Sequence, residues 1–255
     1  MASGVIALNH VGVSVADLDR ARSFWVDILG ATDHVAFAWP VGTGPADEVF
    51  ATEGTSAAMA LLRTDCAFLE LFAFGSPTPA TRPAASPGVA ALAWAVPDVA
   101  AVRARLGLGA DEQVRCPDGT PVELRAADGG PTGLVAVTVR VPDPARHLLA
   151  TVPGPVPVTV VGGADAHAAR PVDLGVNHLC LDVAGIAAVR AGLDGVLWHH
   201  DVTESSGGKA AVCYGTTYDG VLVEISESRS PDAFLARSRL KHPGVLGPAG
   251  SQQQT

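Results

Sequence analysis

The sequence has little charge, and most of the charge it has is negative. Charged residues make up 17% of the 255 residues, and 26 acidic against 17 basic residues give a formal net charge of −9 at pH 7. A surplus of negative charge argues against a nucleic acid or an anionic membrane surface as the main partner, because both repel it. We therefore expect a protein that binds a small molecule, with no nucleic-acid partner and no membrane partner.

Long hydrophobic runs and paired cysteines are also missing. No uninterrupted apolar segment reaches the roughly 18 residues that a membrane helix needs. The N-terminal segment has no basic region ahead of its apolar stretch and does not resemble a secretory signal, so we expect a cytoplasmic protein. The absence of any CxxC pair favours buried free thiols for the four cysteines, Cys66, Cys116, Cys180 and Cys213.

An internal repeat organises the sequence. The segment GVAALAWAVPDVAAVRARL (88–106) aligns with GVNHLCLDVAGIAAVRAGL (175–193), with identical residues at ten of nineteen positions. Further on, CPDGTPVEL (116–124) aligns with TYDGVLVEI (217–225) and shares an Asp-Gly pair, a valine and a glutamate. Repetition over segments of this length indicates copies of one structural unit.

Each unit opens with an apolar run, continues with a helix signal and ends with further apolar runs. In the first unit, Asp17 is suited to cap a helix whose apolar positions share one face and which ends at Gly30. In the unit that opens near residue 134, Asp143 is a candidate helix cap and Pro144 suits the first helical position. Later strands of the first unit are predicted around 34–38, 57–63 and 66–74.

The pattern predicts an α+β fold of four βαβββ-type modules, which begin near residues 5, 88, 134 and 175. We place modules one and two in an N-terminal domain, 1–132, which includes a Pro-rich linker at 75–88. Modules three and four form a C-terminal domain, 133–241. The tail 242–255 has no apolar periodicity and is predicted to be disordered.

Two histidines and two glutamates recur at equivalent places in modules one and four. His10 lies mid-way along the opening strand in NHVGV, and His178 takes the same place in NHLCL. Each module ends in an apolar strand with a single carboxylate, Glu70 in FLELF and Glu224 in VLVEI. Such a carboxylate is costly to bury unless it is paired, protonated or bound to metal. Imidazole and carboxylate together suit a divalent ion, so the four residues indicate one metal site.

These segments resemble the vicinal oxygen chelate superfamily, to which glyoxalase I, methylmalonyl-CoA epimerase, extradiol dioxygenases and bleomycin-type resistance proteins belong. The resemblance rests on LNHVGVSVADLDRARSFWVDILG with FLELF, and on VNHLCLDV with DGVLVEI. It implies cupped mixed sheets with flanking helices around one divalent metal ion, held by His10, Glu70, His178 and Glu224. Four-module glyoxalases of the family pair the first module with the fourth and the second with the third.

The distribution of the four residues agrees with that pairing. Module two has Ala91 in place of the histidine and keeps a carboxylate, Glu123, whereas module three has Ala136 at the corresponding place. A divalent ion needs about four donors, so modules two and three do not repeat the site. We interpret Glu123 as a structural carboxylate.

The resemblance implies a leading function and two alternatives. In the leading hypothesis the protein is a glyoxalase I-like lyase, or an epimerase or isomerase, in which Zn, Ni, Co or Mn stabilises an enediolate of a small oxygenated substrate. Glu70 or Glu224 is then both a ligand and the catalytic base. The alternatives are an extradiol-type Fe(II) dioxygenase and a non-catalytic resistance protein that binds a drug or metabolite. The fourth protein ligand favours the lyase or isomerase.

Further catalytic candidates lie in module four. Strand alternation directs only one of His199 and His200 towards the cup; the sequence does not decide which, and His200 is the one we name as a catalytic candidate. Tyr214 lies on the strand before Glu224 and is a candidate donor to a substrate oxygen. Substrate specificity is expected to reside in loops such as 39–56 and 201–209. The protein is expected to be a monomer or a homodimer.

Overall fold

The computed structural model describes residues 4–145, 147–165, 169–205 and 210–228. The predicted tail 242–255 and the end of the loop 201–209 lie outside the described residues. Within the described ranges, none of the helices is long and apolar enough to cross a membrane. The helices are α1 (Leu18–Arg22), which continues as a π-helix (Ser23–Ile28), α2 (Gly44–Val49), α3 (Val99–Leu106), a 3₁₀-helix (Leu148–Thr151) and α4 (Ile186–Gly192). The strands are β1 (Val5–Ser14), β2 (Thr32–Trp39), β3 (Ser56–Arg63), β4 (Phe68–Ser76), β5 (Gly88–Val96), β6 (Val114–Arg115), β7 (Pro121–Ala126), β8 (Gly133–Arg140), β9 (Val158–Val161), β10 (Gly175–Val183), β11 (Val196–Trp198), β12 (Thr203–Glu204), β13 (Ala210–Thr217) and β14 (Leu222–Ser228).

The larger sheet joins module one to module four. Its strands follow the order β11-β13-β14-β10-β1-β4-β3-β2, and β12 pairs with β13. The opening strands of the two modules, β1 and β10, lie antiparallel at its centre. Each of them pairs in parallel, on its other side, with the last strand of its own module, β4 or β14. The strands that carry the two histidines and the two glutamates are therefore direct neighbours.

The smaller sheet joins module two to module three. Its order is β6-β7-β5-β8-β9, with β5 and β8 antiparallel at the centre and β7 and β9 parallel to them on either side. The predicted pairing of first with fourth and second with third module is confirmed, and so is the α+β fold class with two mixed sheets. Each sheet draws strands from both sides of residue 132, and the division into domains 1–132 and 133–241 stays a prediction.

The first helix begins and ends where its sequence predicts. The Asp17 side chain accepts a hydrogen bond from the Arg20 amide, which satisfies one of the free N–H groups of the first turn. The chain leaves the helix at Gly30, whose φ of 79° favours glycine. The side chains that this helix and its π-helical extension bury are Ala21, Phe24 and Trp25.

This helix also connects the two sheets. Trp25 packs on Trp94 of β5 with ring centroids 4.8 Å apart, and the Trp94 indole donates a hydrogen bond to the Leu29 carbonyl at 2.9 Å. Both tryptophans are fully buried. Burial of a large apolar side chain stabilises a fold by about 1.5–3 kcal/mol, so this contact holds the smaller sheet firmly against module one.

The third module differs from the prediction. Asp143 accepts a hydrogen bond from the Ala145 amide, as a cap would, but the described residues that follow form only the 3₁₀-helix Leu148–Thr151. The helix predicted from Asp143 and Pro144 is therefore wrong. Prolines at positions 153, 155 and 157 follow directly, and they have no amide hydrogen with which to continue a helix. The module is reduced to β8, the 3₁₀ turn and β9.

Candidate metal centre

The centre of the larger sheet brings the two predicted histidines together. The antiparallel pairing of β1 and β10 sets His10 opposite Cys180 and Gly12 opposite His178. His10 Nε2 lies 3.0 Å from His178 Nε2, and the two rings meet edge to face. Because β1 and β10 are equivalent strands of two repeats, their antiparallel pairing relates the two histidines by an approximate two-fold axis.

One predicted carboxylate approaches from each side of this pair. Glu70 lies on β4 beside Gly12 of β1, and Glu224 lies on β14 beside Cys180 of β10. Glu224 Oε2 is 3.0 Å from His10 Nε2 and 3.6 Å from His178 Nε2. Glu70 Oε2 is 3.3 Å and 3.7 Å from the same two nitrogens. The four residues thus direct one donor atom each into the same small volume.

The donor atoms have a spacing close to the one that a single divalent ion requires, since the His–His distance and the four His–Glu distances are 3.0–3.7 Å. Nitrogen and oxygen donors about 2.0–2.2 Å from a shared ion lie roughly 3.0–3.5 Å apart at neighbouring coordination positions. Within the described residues, Glu70 Oε2 and Glu224 Oε2 are buried and accept no hydrogen bond. Buried carboxylate oxygens are costly unless a donor or a cation compensates them. The residues present therefore fit a metal ion.

The electrostatics of the cluster favour a bound cation. Burial alone would raise the pKa of Glu224, but the adjacent His10 and His178 outweigh burial and hold this pKa well below its usual range. Burial would lower the pKa of His10, but the neighbouring Cys180, Glu224 and Glu70 raise it well above its ordinary value. The cluster therefore carries ionised carboxylate and attracts either a proton or a metal ion.

Glu70 is the most exposed of the four donor residues. The side-chain exposure is 0% for His178 and 4% for Glu224, against 9% for His10 and 13% for Glu70. Phe72 follows Glu70 by two on β4, and its ring lies 6.0 Å from the His178 ring. Phe72 belongs to a group of packed aromatic side chains, the aromatic wall, formed by Trp39, Phe50, Phe72 and Phe74. The aromatic wall therefore borders the donor cluster through Phe72.

Tyr214 reaches the cluster. Its ring lies 5.7 Å from the His178 ring, and Tyr214 is opposite Glu224 in the β13–β14 pairing. Burial, together with the charges of Glu224 and Glu70, raises the pKa of this phenol well above its ordinary value. Tyr214 is therefore a neutral hydrogen-bond donor beside the carboxylates.

The structure does not bring His199 or His200 to the donor atoms. Tyr214 donates its amide hydrogen to His200 Nε2 at 3.3 Å, and His200 Nδ1 lies 2.6 Å from the carbonyl oxygen of Asp201. His199 contacts the Val49 carbonyl and the Thr216 hydroxyl through its two ring nitrogens. Both imidazoles thus have partners of their own, and the catalytic role predicted for His200 has no geometric support here.

Glu123, the glutamate of module two, lies outside the cluster. It is on β7 of the smaller sheet, where it forms an ion pair with Arg125 at 3.0 Å, and both side chains are exposed. The hydrogen bond from Arg125 lowers the pKa of Glu123. This arrangement agrees with the structural role expected for it.

Sequence reasoning missed three residues that adjoin the donors. Cys180 Sγ lies within 4.8 Å of donor atoms of His10 and Glu224. Strand alternation could have identified it, since residues two apart share a face and Cys180 follows His178 by two. Asn9 and Asn177 lie 2.8 Å and 2.7 Å from Nδ1 of the histidine that follows each of them. Their signal in the sequence is that the chain has no other asparagine.

Comparisons with known proteins agree with this architecture. The family model described as Glyoxalase/Bleomycin resistance protein/Dioxygenase superfamily matches residues 7–123. Glyoxalase I from Zea mays is similar with a TM-score of 0.56 and 15% identity, over 87% of this chain and 92% of that one. A candidate dioxygenase from Bacillus subtilis has a TM-score of 0.58 and 10% identity, over 92% and 88% of the two chains. The cppA protein from Streptococcus pneumoniae has a TM-score of 0.55 and 10% identity, over 88% and 99%.

At these low identities the structural matches establish the fold alone. No curated protein matches the sequence. The segment covered by the family model includes His10 and Glu70, and the pairing of modules in two mixed sheets extends the same architecture to the rest of the described chain. Residues 7–123 thus match the model of the Glyoxalase/Bleomycin resistance protein/Dioxygenase superfamily, and this match bears out the resemblance to the vicinal oxygen chelate family.

Proposed function

We propose that the protein is a metal-dependent enzyme of the glyoxalase I type, a lyase or isomerase that moves a proton on a small oxygenated substrate. The observation that carries this proposal is the convergence of four donor atoms from modules one and four, two of them buried carboxylate oxygens with no other partner among the described residues. A cluster built only for stability would satisfy these oxygens with hydrogen-bond donors.

The four residues that would hold a divalent ion differ in how deeply they are buried. His10, His178 and Glu224 are the more buried donors, and the lowered pKa of Glu224 favours its ionised form. Once bound, the ion supplies a Lewis acid that stabilises negative charge developing on a substrate oxygen. Zn, Ni, Co and Mn are all compatible with a set of two imidazoles and two carboxylates.

Glu70 is the residue that we assign as the base. It is the most exposed of the four side chains, so a substrate bound beside the cluster can reach it more readily than the other three. A carboxylate there can take a proton from the carbon next to a bound carbonyl and return it to a neighbouring atom. Tyr214 holds a hydroxyl proton beside Glu224 and can donate a hydrogen bond to a substrate oxygen. The aromatic wall borders the cluster through Phe72 and gives the site an apolar side.

A second function has one specific observation in its favour. His10, Glu70 and His178 form a group of two imidazoles and one carboxylate, the donor set of many non-haem Fe(II) oxygenases. Glu224 would then be a fourth protein donor, which reduces the positions left for a catechol and for oxygen. The presence of Glu224 is the reason that we favour proton transfer.

The test is an exchange assay with a matched pair of variants. Metal-loaded protein is incubated with hemithioacetals and other α-hydroxycarbonyl compounds in deuterated water, and incorporation of deuterium at the α-carbon is followed. We expect Glu70→Gln to lower the rate by about 10²–10⁴-fold, the usual contribution of a general base. Glu123→Gln removes the repeat-equivalent carboxylate at the surface and should leave the rate unchanged.

Other outcomes of the same assay distinguish the alternatives. Oxygen uptake with catechols on the Fe(II)-loaded protein, without proton exchange, would replace the lyase or isomerase by the dioxygenase. Tight binding of a ligand with neither reaction would identify a drug- or metabolite-binding protein.

A further inference from the structure

The two asparagines of the chain occupy equivalent places beside the two site histidines. Asn9 precedes His10 and Asn177 precedes His178. Each asparagine also forms a hydrogen bond across the β1–β10 pair. Its partner is the residue four positions after the histidine of the opposite strand. Asn9 Nδ2 donates to Asp182 at 2.8 Å, and Asn177 Nδ2 donates to Ser14 at 2.9 Å. The hydrogen bonds are thus reciprocal between module one and module four.

The proton on each imidazole follows from these bonds. A carboxylate accepts only, so Asn9 must turn its NH₂ group towards Asp182 and its carbonyl oxygen towards His10. An amide oxygen also accepts only, and the 2.8 Å contact therefore requires a hydrogen on His10 Nδ1. A histidine that ligates a metal is neutral, so its one hydrogen is then on Nδ1 and the lone pair of His10 Nε2 faces the donor cluster.

The same reasoning applies to His178, although the residue that accepts from its asparagine is an uncharged serine and not a carboxylate. The Ser14 hydroxyl donates its only hydrogen to the Pro171 carbonyl at 3.1 Å, so it accepts from Asn177. The Asn177 carbonyl oxygen then faces His178 Nδ1 at 2.7 Å and requires a hydrogen there. His178 Nε2 is directed at the cluster just as His10 Nε2 is.

We propose that Asn9 and Asn177 are positioning residues that hold His10 and His178 in the Nδ1–H form and in the ring orientation that presents both Nε2 atoms to one metal ion. The proposal rests on the proposed metal-dependent function and deepens it. Hydrogen-bond partners on the far nitrogen of a ligating histidine fix its orientation and raise its basicity. The cross-strand bonds make each module's ligand depend on the other module.

Metal affinity gives the first readout. Zn²⁺ affinity is measured at one fixed pH by competition with a chelator, and we expect Asn9→Ala and Asn177→Ala each to lower it by about 10–100-fold. Thr217→Ala is the matched control, since it removes a buried, hydrogen-bonded hydroxyl from the β13–β14 turn. We expect the control to retain the affinity of the unaltered protein.

A conservative variant separates positioning from general damage to the fold. Asn177→Asp keeps an acceptor oxygen for His178, and the Ser14 hydroxyl can rotate to donate to it, so most of the affinity should return. Asn9→Asp would set a second carboxylate against buried Asp182 and should not recover affinity. An Asn177→Asp variant with no more affinity than Asn177→Ala would overturn the proposal.

Proton magnetic resonance of the metal-free protein gives a readout that needs no metal. The Nδ1 protons of His10 and His178 should appear as sharp downfield signals protected from exchange. Asn9→Ala should abolish the first and Asn177→Ala the second, while Thr217→Ala keeps both. Unchanged signals in the folded alanine variants would refute the positioning role. Absence of Zn²⁺ binding by the unaltered protein, with the signals behaving as expected, would refute the proposed function and leave the positioning role standing.

Discussion

At the scale of single residues, the metal centre depends on a residue that has no side chain. A Cβ atom on Gly12 would lie 2.2 Å from His178 Cε1 and Nδ1 and 2.5 Å from Asn177 Oδ1. The His178 ring therefore fills the space of any side chain at position 12. We predict that Gly12→Ala displaces His178 and lowers metal affinity by about 10–100-fold, with a loss of about 1–3 kcal/mol in the free energy of unfolding.

The measurement for Gly12→Ala combines chelator competition with urea unfolding. Gly75→Ala is the control, because the added Cβ would meet only the Ser56 hydroxyl and carbonyl, at 3.1 Å and 4.0 Å. Unchanged metal affinity in Gly12→Ala would show that the His178 ring is not fixed where the structure has it.

The charge of Asp173 makes the free energy of unfolding depend on pH. Asp173 accepts hydrogen bonds from the Ala80 amide at 2.9 Å and from the Arg170 guanidinium at 2.6 Å. Burial would raise the pKa of Asp173, but these donors hold it below its ordinary value. A carboxyl with a lowered folded-state pKa stabilises the fold above its unfolded-state pKa, about 3.9, and this contribution is lost as the pH falls through the folded-state pKa.

We therefore predict that Asp173→Asn lowers the free energy of unfolding by about 1–3 kcal/mol at pH 7. The difference from the unaltered protein should shrink as the pH falls below about 4. Urea unfolding from neutral to acid pH measures it. A difference that stays constant over that range would mean that the charge of Asp173 contributes nothing.

At the scale of elements, the position of α2 is fixed by Phe50, the residue that follows it, which packs in the aromatic wall. Phe50 is buried and packs on Trp39, Phe72 and Phe74 at ring distances of 5.2–6.3 Å. We predict that Phe50→Ala lowers the free energy of unfolding by about 3–5 kcal/mol, as loss of a core aromatic does. Phe37→Ala is the control in the same sheet: Phe37 is 40% exposed, and we expect a change within about 0.5 kcal/mol.

Urea unfolding of the two variants side by side is the measurement. Equal losses would contradict the account, because they would mean that Phe50 is no more embedded than a side chain on the edge strand.

The strands of module one could be predicted from sequence because their signals are local. The predicted strands 34–38, 57–63 and 66–74 correspond to β2, β3 and β4, each bounded by its own turn residues. The position of α2 could not be predicted in this way, since it depends on the other end of the chain, where His199 contacts the Val49 carbonyl. The helix expected after Asp143 is replaced by the 3₁₀-helix Leu148–Thr151, and the prolines at 153, 155 and 157 prevent a longer helix there.

The candidate site, like the fold, could be predicted only in part from the sequence. The repeat identified His10, Glu70, His178 and Glu224 because equivalent residues of equivalent modules meet across an approximate two-fold axis. The reciprocal bonds of the asparagines could not be predicted, because they depend on the register of β1 against β10, which shifts at three places along the pair.

At the scale of the whole molecule, the candidate metal centre is formed by residues from the two ends of the described chain. Its donors range from residue 10 to residue 224, and the larger sheet exists only when module four pairs with module one. A ligand that binds the folded form alone stabilises it by mass action. A metal ion bound at this point would therefore stabilise the pairing of the first and last modules.

The central claim is that His10, Glu70, His178 and Glu224 hold one metal ion, and elemental analysis of the purified protein tests it most directly. The protein is purified without chelator or histidine tag, soaked in Zn, Ni, Co, Mn or Fe(II) and dialysed, beside the double variant His10→Ala/His178→Ala. We predict close to one ion per chain in the unaltered protein and none in the variant. Equal metal content in the two proteins, or none in either after soaking, would contradict the account.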